Sequence, residues 1–319
     1  MNRLCSRRMT KPNINTLFEA KGWFAMPVFA TVVRTLCGRA RARLLIESLR
    51  AFGGDLRHCP VWLFEADSRK APCDDLAAEE TQVIPLRVPP GVEHYLFAEK
   101  VYACAQAEAL AGEDIQSLVW IDPGCLIVNP PVRFDLGVAF DAAVRPVHIQ
   151  NVGLRADEPV DEFWKRIYAT VGIQDVQTTV ESFVDRHTLR AYFNSHAFAV
   201  NPSLGLLRRW FDQFQTLVSD KEFQHAACQD ERHQLFLFQA LLSVLLATAL
   251  DPQRLHILPP VYNYPYNLHP SVPAEQRVKA LNDAVCIAYE ERSLNPEMMT
   301  DIRVDEPLRS WLSARTRKA

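Results

Sequence analysis

The chain carries no glycine- or serine-rich linker to divide its 319 residues, no internal repeat and no low-complexity segment. Its length alone accommodates one large α/β domain or two, and with no linker to cut it the expectation is one domain over residues 24–319, with C-terminal helices and a loop, preceded by a flexible amino-terminal arm over residues 1–23. There is no CxxC pair and no short-spaced Cys or His cluster, which removes the usual zinc sites. The eight cysteines, at positions 5, 37, 59, 73, 104, 125, 228 and 286, are instead spread out, as expected of free thiols in a reducing cytoplasm. No apolar core follows Arg7 and Arg8, so no secretory leader is expected. The longest apolar run, Leu235 to Leu250, is broken by Gln239, Ser243 and Thr248 and reads as a buried helix, not a membrane span. Neither charge sign dominates: the net charge of −3, with both signs scattered along the chain, argues against a nucleic-acid partner held by a strongly basic face. Three catalytic or cofactor signatures are missing as well. There is no GxGxxG after the first strand, no GxxxxGK[ST] and no GxSxG, which sets aside a dinucleotide turn, a P-loop and a serine-hydrolase elbow.

What is present is an alternation of short strands and amphipathic helices. Pro27 to Val33 is rich in β-branched residues and predicts a first strand, followed by a helix from about Ala40 to Phe52 that closes at Gly53 and Gly54. Val61 to Phe64 and Gln82 to Val88 predict two more strands. Phe97 to Leu110 predicts a helix that buries Ala98, Val101, Tyr102, Ala105 and Ala109 and carries Lys100 near its start. Further strands are expected at Ala142 to Val147, Tyr192 to Val200 and Ala284 to Tyr289. Helices are expected at Asp161 to Val171, Leu204 to Val218 and Asp230 to Leu250. This order favours an α/β fold with a mostly parallel sheet.

The stretch SLVWIDPGCLIV, Ser117 to Val128, stands out. An apolar run ends on Asp122, turns through Pro123 and Gly124, and resumes. In open α/β sheets ligands bind beyond the carboxyl ends of strands, so Asp122 is a candidate site residue; Asp, Pro and Gly are also the ordinary turn formers. The segment YFNSHAFAV, 192–200, brings Asn194, Ser195 and His196 to the start of another strand, and His148 and Asn151 follow a third.

The order of these segments resembles the GT-A class of nucleotide-sugar glycosyltransferases, in particular the family 8-like, glycogenin-type branch. The resemblance rests on Glu47, Ser48 and Leu49 in the first helix, on a Lys-bearing helix, and on Val119, Trp120, Ile121, Asp122, Pro123, Gly124 where that family has [VL]-[WY]-[LI]-D-x-D. It continues through Phe193, Asn194, Ser195, His196 in place of F-N-[AS]-G, through Gln229, Asp230, Glu231 and Gln234, and through an LP-x-x-YN segment at Leu258 to Asn263. It spans roughly residues 27 to 290. It implies a three-layer GT-A-like fold and transfer of a sugar, in a hexosyltransferase-like reaction, from a nucleotide-diphosphate sugar to an acceptor hydroxyl.

The same resemblance implies the site. Thr31, Arg34 and Thr35 would meet the nucleotide, with Lys100 and Arg34 on the phosphates and Asp122 and Gly124 at the diphosphate. Asn194, Ser195 and His196 would line the sugar pocket, with His196 narrowing it where the family has Gly. Asp230 and Glu231 would orient an acceptor hydroxyl or act as general base, or would serve only as helix-start acids. Tyr262 and Asn263, with Tyr264 and Tyr266, would contact sugar or pack in the core. In a DxD motif two carboxylates hold Mg²⁺ or Mn²⁺, which neutralises the leaving diphosphate. Here Asp122 remains and Gly124 replaces the second acid, while the late HxxGxxKPW-like segment reads CIAYEERS. His256 or His269 would have to substitute as ligand. Three outcomes follow from the degenerate motif: a transferase in which a protein cation such as Lys100 or Arg34 replaces the metal, one that binds a metal weakly through Asp122 alone, or a silent GT-A-like binding module. A nucleotidyltransferase shares the scaffold, but the single Gly38 offers no Gly-rich loop.

Overall fold

Short β-branched and aromatic runs are buried on both faces only when helices cover the sheet on each side. The computed structural model, which describes residues 26–316, has this arrangement. The expected arm over residues 1–23 lies outside the described residues.

In chain order the strands are β1 (Val28–Val33), β2 (Val61–Glu65), β3 (Thr81–Pro85), β4 (Leu118–Ile121), β5 (Cys125–Ile127), β6 (Ala142–Pro146), β7 (Thr179–Glu181), β8 (Thr188–Arg190), β9 (Phe193–Val200), β10 (Leu255–Ile257), β11 (Tyr264–Pro265) and β12 (Cys286–Ala288). The helices are α1 (Leu36–Phe52), α2 (Ala98–Leu110), α3 (Glu162–Val171), α4 (Leu206–Ser219), α5 (Lys221–Ala227), α6 (Glu231–Ala249) and α7 (Leu308–Thr316). Seven strands form the main sheet in the order β10, β6, β9, β4, β1, β2, β3. All neighbouring pairs run parallel except those of β9, which is antiparallel to both β4 and β6. A small second sheet joins β11, β12 and β5.

Strand alternation sends side chains to the two faces. Val28, Ala30, Val32 and Trp120 join a core with α2, α3, α4 and α6, while Phe29, Val119 and Ile121 pack against α1. Four tryptophans, Trp62, Trp120, Trp164 and Trp210, are among the largest fully buried side chains. α6 passes the length and composition test for a membrane span, yet more than half of that window is buried inside the fold.

Several boundaries differ from expectation for local reasons. α1 starts at Leu36, four residues earlier than the sequence suggests, because Thr35 caps it: its Oγ1 accepts from Gly38 N at 3.0 Å. β3 ends at Pro85 because its partner β2 ends at Glu65, to which Pro85 is registered. In α2 the buried stripe includes Glu108 and leaves Ala109 exposed. Glu108 faces inward because its carboxylate accepts from Leu207 N at 2.9 Å and Arg208 N at 2.8 Å, at the start of α4. The polar interruptions in the apolar run of α6 are tethers. Gln239 Oε1 accepts from Ser195 N at 3.2 Å and Ser195 Oγ at 2.9 Å, and Ser243 Oγ accepts from Phe193 N at 2.8 Å.

Candidate functional site

The antiparallel register of β9 against β4 decides where the chemistry gathers. Ile121 pairs with Ala197, so the carboxyl end of β4 meets the amino-terminal part of β9, and Asp122 N donates to His196 O at 2.7 Å. The ends of β1 and β6 open beside them, and the second sheet brings in the segment after β12, where Tyr289 N donates to Gly124 O at 3.0 Å. The result is a crevice of about 630 Å³. Its lining includes Arg34, Thr35 and Arg41 from the start of α1, and Lys100, Asp122 and Gly124. His148 and Asn151 follow β6, and Asn194, Ser195 and His196 begin β9. An apolar wall comes from Phe97 and from Leu235, Phe236 and Phe238 of α6. Phe97 holds φ +62°, a left-handed backbone that is unusual for a bulky residue and that places its ring 4.8 Å from that of Phe238.

Asp122 is engaged on both oxygens. Oδ2 accepts from Lys100 Nζ at 2.8 Å and Oδ1 from Trp120 Nε1 at 2.7 Å. Lys100 also donates to Ser195 O at 2.7 Å and Ser195 Oγ at 3.3 Å, so its three protons all have protein acceptors. The ammonium sits 5.1 Å from the centre of the Phe238 ring and its side chain is only 3% exposed.

These residues do not fit a divalent cation. The one DxD carboxylate is neutralised by a buried ammonium, Gly124 supplies no second acid, and among the described residues no group of three His, Cys, Asp or Glu is placed to hold a metal. The missing second acid is not forced by packing, because a Cβ at Gly124 would meet nothing within 4 Å. The proposed substitutes are also committed elsewhere. His269 is buried, with Nδ1 2.7 Å from Tyr264 Oη, and His256 stacks on Phe140 with ring centres 4.4 Å apart.

The crevice gathers three basic and four acidic side chains. Arg34 pairs with Glu99 at 3.4 Å and Arg41 with Glu291 at 3.2 Å; the Glu291 side chain is 92% exposed, so this second pair is an open one. His148 is buried and His196 half-buried, and neither has an acid at hydrogen-bond distance. His148 is pushed down to about 3 by burial, then by His196 and by Arg145 beneath it. His196 is held below the usual imidazole range by burial first, an effect that Asp122 and Glu290 partly oppose.

Ten of the sequence candidates thus meet in one crevice: Arg34, Thr35, Lys100, Asp122, Gly124 and Asn194, together with Ser195, His196, His148 and Asn151. Others lie away from it. Asp230 is the exposed cap of α6, where its Oδ1 accepts from Arg232 N at 3.0 Å and His233 N at 3.1 Å, and Glu231 beside it is exposed in the first helical turn. Thr31 points into the core from β1. Tyr262 is buried against Phe134 with its Oη accepting from Arg133 N at 2.9 Å, and Tyr264 and Tyr266 are buried as well. Asn263 is a support behind the lining: its Nδ2 donates to Asn194 Oδ1 at 2.6 Å. Arg41, Phe97, Gln239, Glu290 and Glu291 were not singled out in the sequence, although CIAYEERS contains the last two. Only the pairing of β12 with β5 shows that this segment returns to Gly124.

Residues 30–249 match the family described as Rhodobacterales glycosyltransferase domain. Two solved structures of the galactosyltransferase LgtC are similar in fold. One, in complex with donor and acceptor sugar analogs, has 12% identity and a TM-score of 0.51, over 92% of this chain and 97% of that one. The other, an active-site mutant of the same enzyme, has 10% identity and a TM-score of 0.51 over the same shares. No curated protein matches the chain by sequence. The architecture is thus the mixed α/β, mostly parallel GT-A arrangement that the sequence order implied.

Proposed function

The chain belongs to the Rhodobacterales glycosyltransferase domain family, and from that premise we propose that its 630 Å³ crevice binds a nucleotide-diphosphate sugar and passes the sugar to an acceptor hydroxyl. The observation that carries the reading is the carboxylate of Asp122, delivered by β4 into the crevice and charge-balanced at 2.8 Å by Lys100. A carboxylate accepting one bond on each oxygen retains lone pairs for sugar hydroxyls. Lys100 does from within what a metal would otherwise do for that carboxylate, and it is a positioning residue because all its protons are engaged.

Arg34 and Arg41 are the cations left for the diphosphate. Both stand beside the amino-terminal end of α1, whose partial positive charge adds to theirs. Developing charge on the departing diphosphate is stabilised by such fixed positive groups. The LgtC structure is of a complex with donor and acceptor sugar analogs, and the same two ligand classes are assigned to this crevice. We also assign the chain to a reducing compartment, a reading supported by cysteines that are spread along the sequence with no CxxC pair.

A thermal-shift panel of nucleotide sugars in EDTA, repeated with Mn²⁺, tests the assignment. One donor is expected to stabilise the protein equally under both conditions, and the shift is expected to shrink in Arg34→Ala and Arg41→Ala. Binding to no member under either condition would sink it.

A further inference from the structure

We propose that a second cavity, built by the carboxyl-terminal part of the chain and separate from the crevice, binds a phosphate ester through Arg277, Lys279, Arg303 and Arg309. The proposal goes beyond the transfer reading and does not depend on it.

The cavity holds about 530 Å³ and shares no lining residue with the crevice. The turn Tyr266–Ser271 stands between the two: Asn267 and Leu268 line the crevice, and His269 lines the second cavity. Its floor follows from the apolar pattern of the tail. Met299, Ile302 and Val304 are buried in one cluster with Tyr264 and Ile287 of the second sheet, while Arg303, between two of them, is exposed. An isolated parallel bridge pairs Ala280 with Arg303, and Leu281 N donates to Arg303 O at 2.8 Å, which brings Lys279 and Arg303 to one rim. Arg309 joins them from the first turn of α7.

The charges of this lining are not balanced from within. It carries four cationic side chains and one acid, Asp301, and that acid is taken at 2.7 Å by Arg292, which lies outside the lining. Arg303 pairs with Asp305 at 3.0 Å, but the two side chains are 66% and 47% exposed, so the pair is open to water and weak. Arg277 is fixed by carbonyls: Nη2 donates to Pro270 O at 2.9 Å and to Val272 O at 2.7 Å, and Nε donates to Val272 O at 3.2 Å, which leaves Nη1 to a ligand. The side chains of Lys279 and Arg309 have no hydrogen-bond or ion-pair partner among the described residues. A cleft lined by one sign of charge over an apolar floor focuses its field and gathers counter-ions.

The chemistry of the donors selects the anion. Guanidinium groups present forked N–H pairs that match phosphate oxygens, and an ammonium adds a compact point charge. The hydroxyl of Thr300, also in the lining, supplies one more donor. Four cations suit a multiply charged group better than a single carboxylate. The volume falls in the range of small-molecule sites, roughly 300 to 1,000 Å³, and the floor of Met299, Ile302 and Val304 is apolar. Inorganic phosphate would leave that floor uncovered, whereas the organic body of an ester covers it.

Isothermal titration of the full chain with inorganic phosphate, glycerol phosphate and phenyl phosphate at millimolar concentrations tests the site. Three proteins are compared: wild type, the cavity variant Lys279→Glu with Arg309→Glu, and the crevice variant Arg34→Ala with Arg41→Ala. At least one ester is expected to bind wild type more tightly than inorganic phosphate does, to bind the crevice variant as well as wild type, and to bind the cavity variant at least about tenfold more weakly. The neutral pair Lys279→Gln with Arg309→Gln is expected to show the same loss in smaller measure, which guards against misfolding of the reversed pair. Failure of every ester to bind overturns the proposal. So does binding that is lost in the crevice variant and kept in the cavity variant, because the ester then sits in the crevice. Sedimentation with phosphatidylglycerol vesicles supplies the last arm: vesicle binding that needs Lys279 and Arg309, with no ester bound, replaces the site by a membrane-facing surface and also overturns it.

Discussion

Asp122 and Lys100 form a pair that neither residue can leave cheaply. Their side chains are 16% and 3% exposed, and removing one partner of a buried pair strands the other's charge in a medium that solvates it poorly. Lys100→Met is expected to destabilise the fold by about 3 kcal/mol, and Lys100→Met with Asp122→Leu to recover most of that loss. Urea denaturation of the three proteins checks it; a double variant no more stable than Lys100→Met would show that the pair is not what the loss reflects. His148 supplies a second residue-scale prediction. Its value of about 3 in the fold lies below the roughly 6.5 of an unfolded histidine. The unfolded chain therefore takes up the proton first, so this residue's contribution is complete above about pH 6.5 and is lost as pH falls toward 3, by up to about 1.4 kcal/mol per unit. Urea midpoints at pH 7 and pH 5 should differ less in His148→Gln than in wild type. An unchanged difference would refute the assignment.

At the scale of elements, one carboxylate ties two helices. Glu108 on α2 has a fully buried side chain and receives three bonds from the start of α4, from Leu207 N, Arg208 N and Arg208 Nε. It serves donors that a helix cannot satisfy internally. Glu108→Ala is expected to cost about 3 kcal/mol, chiefly by leaving the buried Leu207 N and the part-buried Arg208 N unpaired, and Glu108→Gln less, because an acceptor oxygen remains. Equal losses in the two would mean that volume, not hydrogen bonding, sets the cost. This cap also marks where sequence reading fails. Periodicity alone places α2, yet it puts Ala109 on the buried stripe, because nothing local to Glu108 signals a partner about a hundred residues away. Local patterns locate β1, β4, β9, α4 and α6, where apolar residues recur at the strand or helix period over enough length. The short pieces β7, β8 and α5 carry too few periods to be read.

At the scale of the whole molecule, the site is a product of topology. Asp122, Asn194 and His196 were legible as polar residues at strand ends, and the antiparallel register of β9 brings them together. The Tyr-rich loop at 258–267 has the composition of a sugar platform, but its tyrosines are buried. Asp230 and Glu231 had the right chemistry for a base and sit at an exposed helix start. Sequence could show which residues were able to act; it could not show that Glu290 and Glu291 return to the crevice through a second sheet, or that Lys100 had already claimed Asp122. That last contact makes the central claim specific, because a carboxylate balanced by an ammonium needs no added cation.

The claim is tested most directly by nucleoside diphosphate release from the donor that the protein binds, measured in excess EDTA for wild type and Asp122→Ala. The account predicts release at the same rate in EDTA as with Mn²⁺, falling by at least about 100-fold in the variant. Release that appears only with Mn²⁺, or that survives the loss of Asp122, would contradict it.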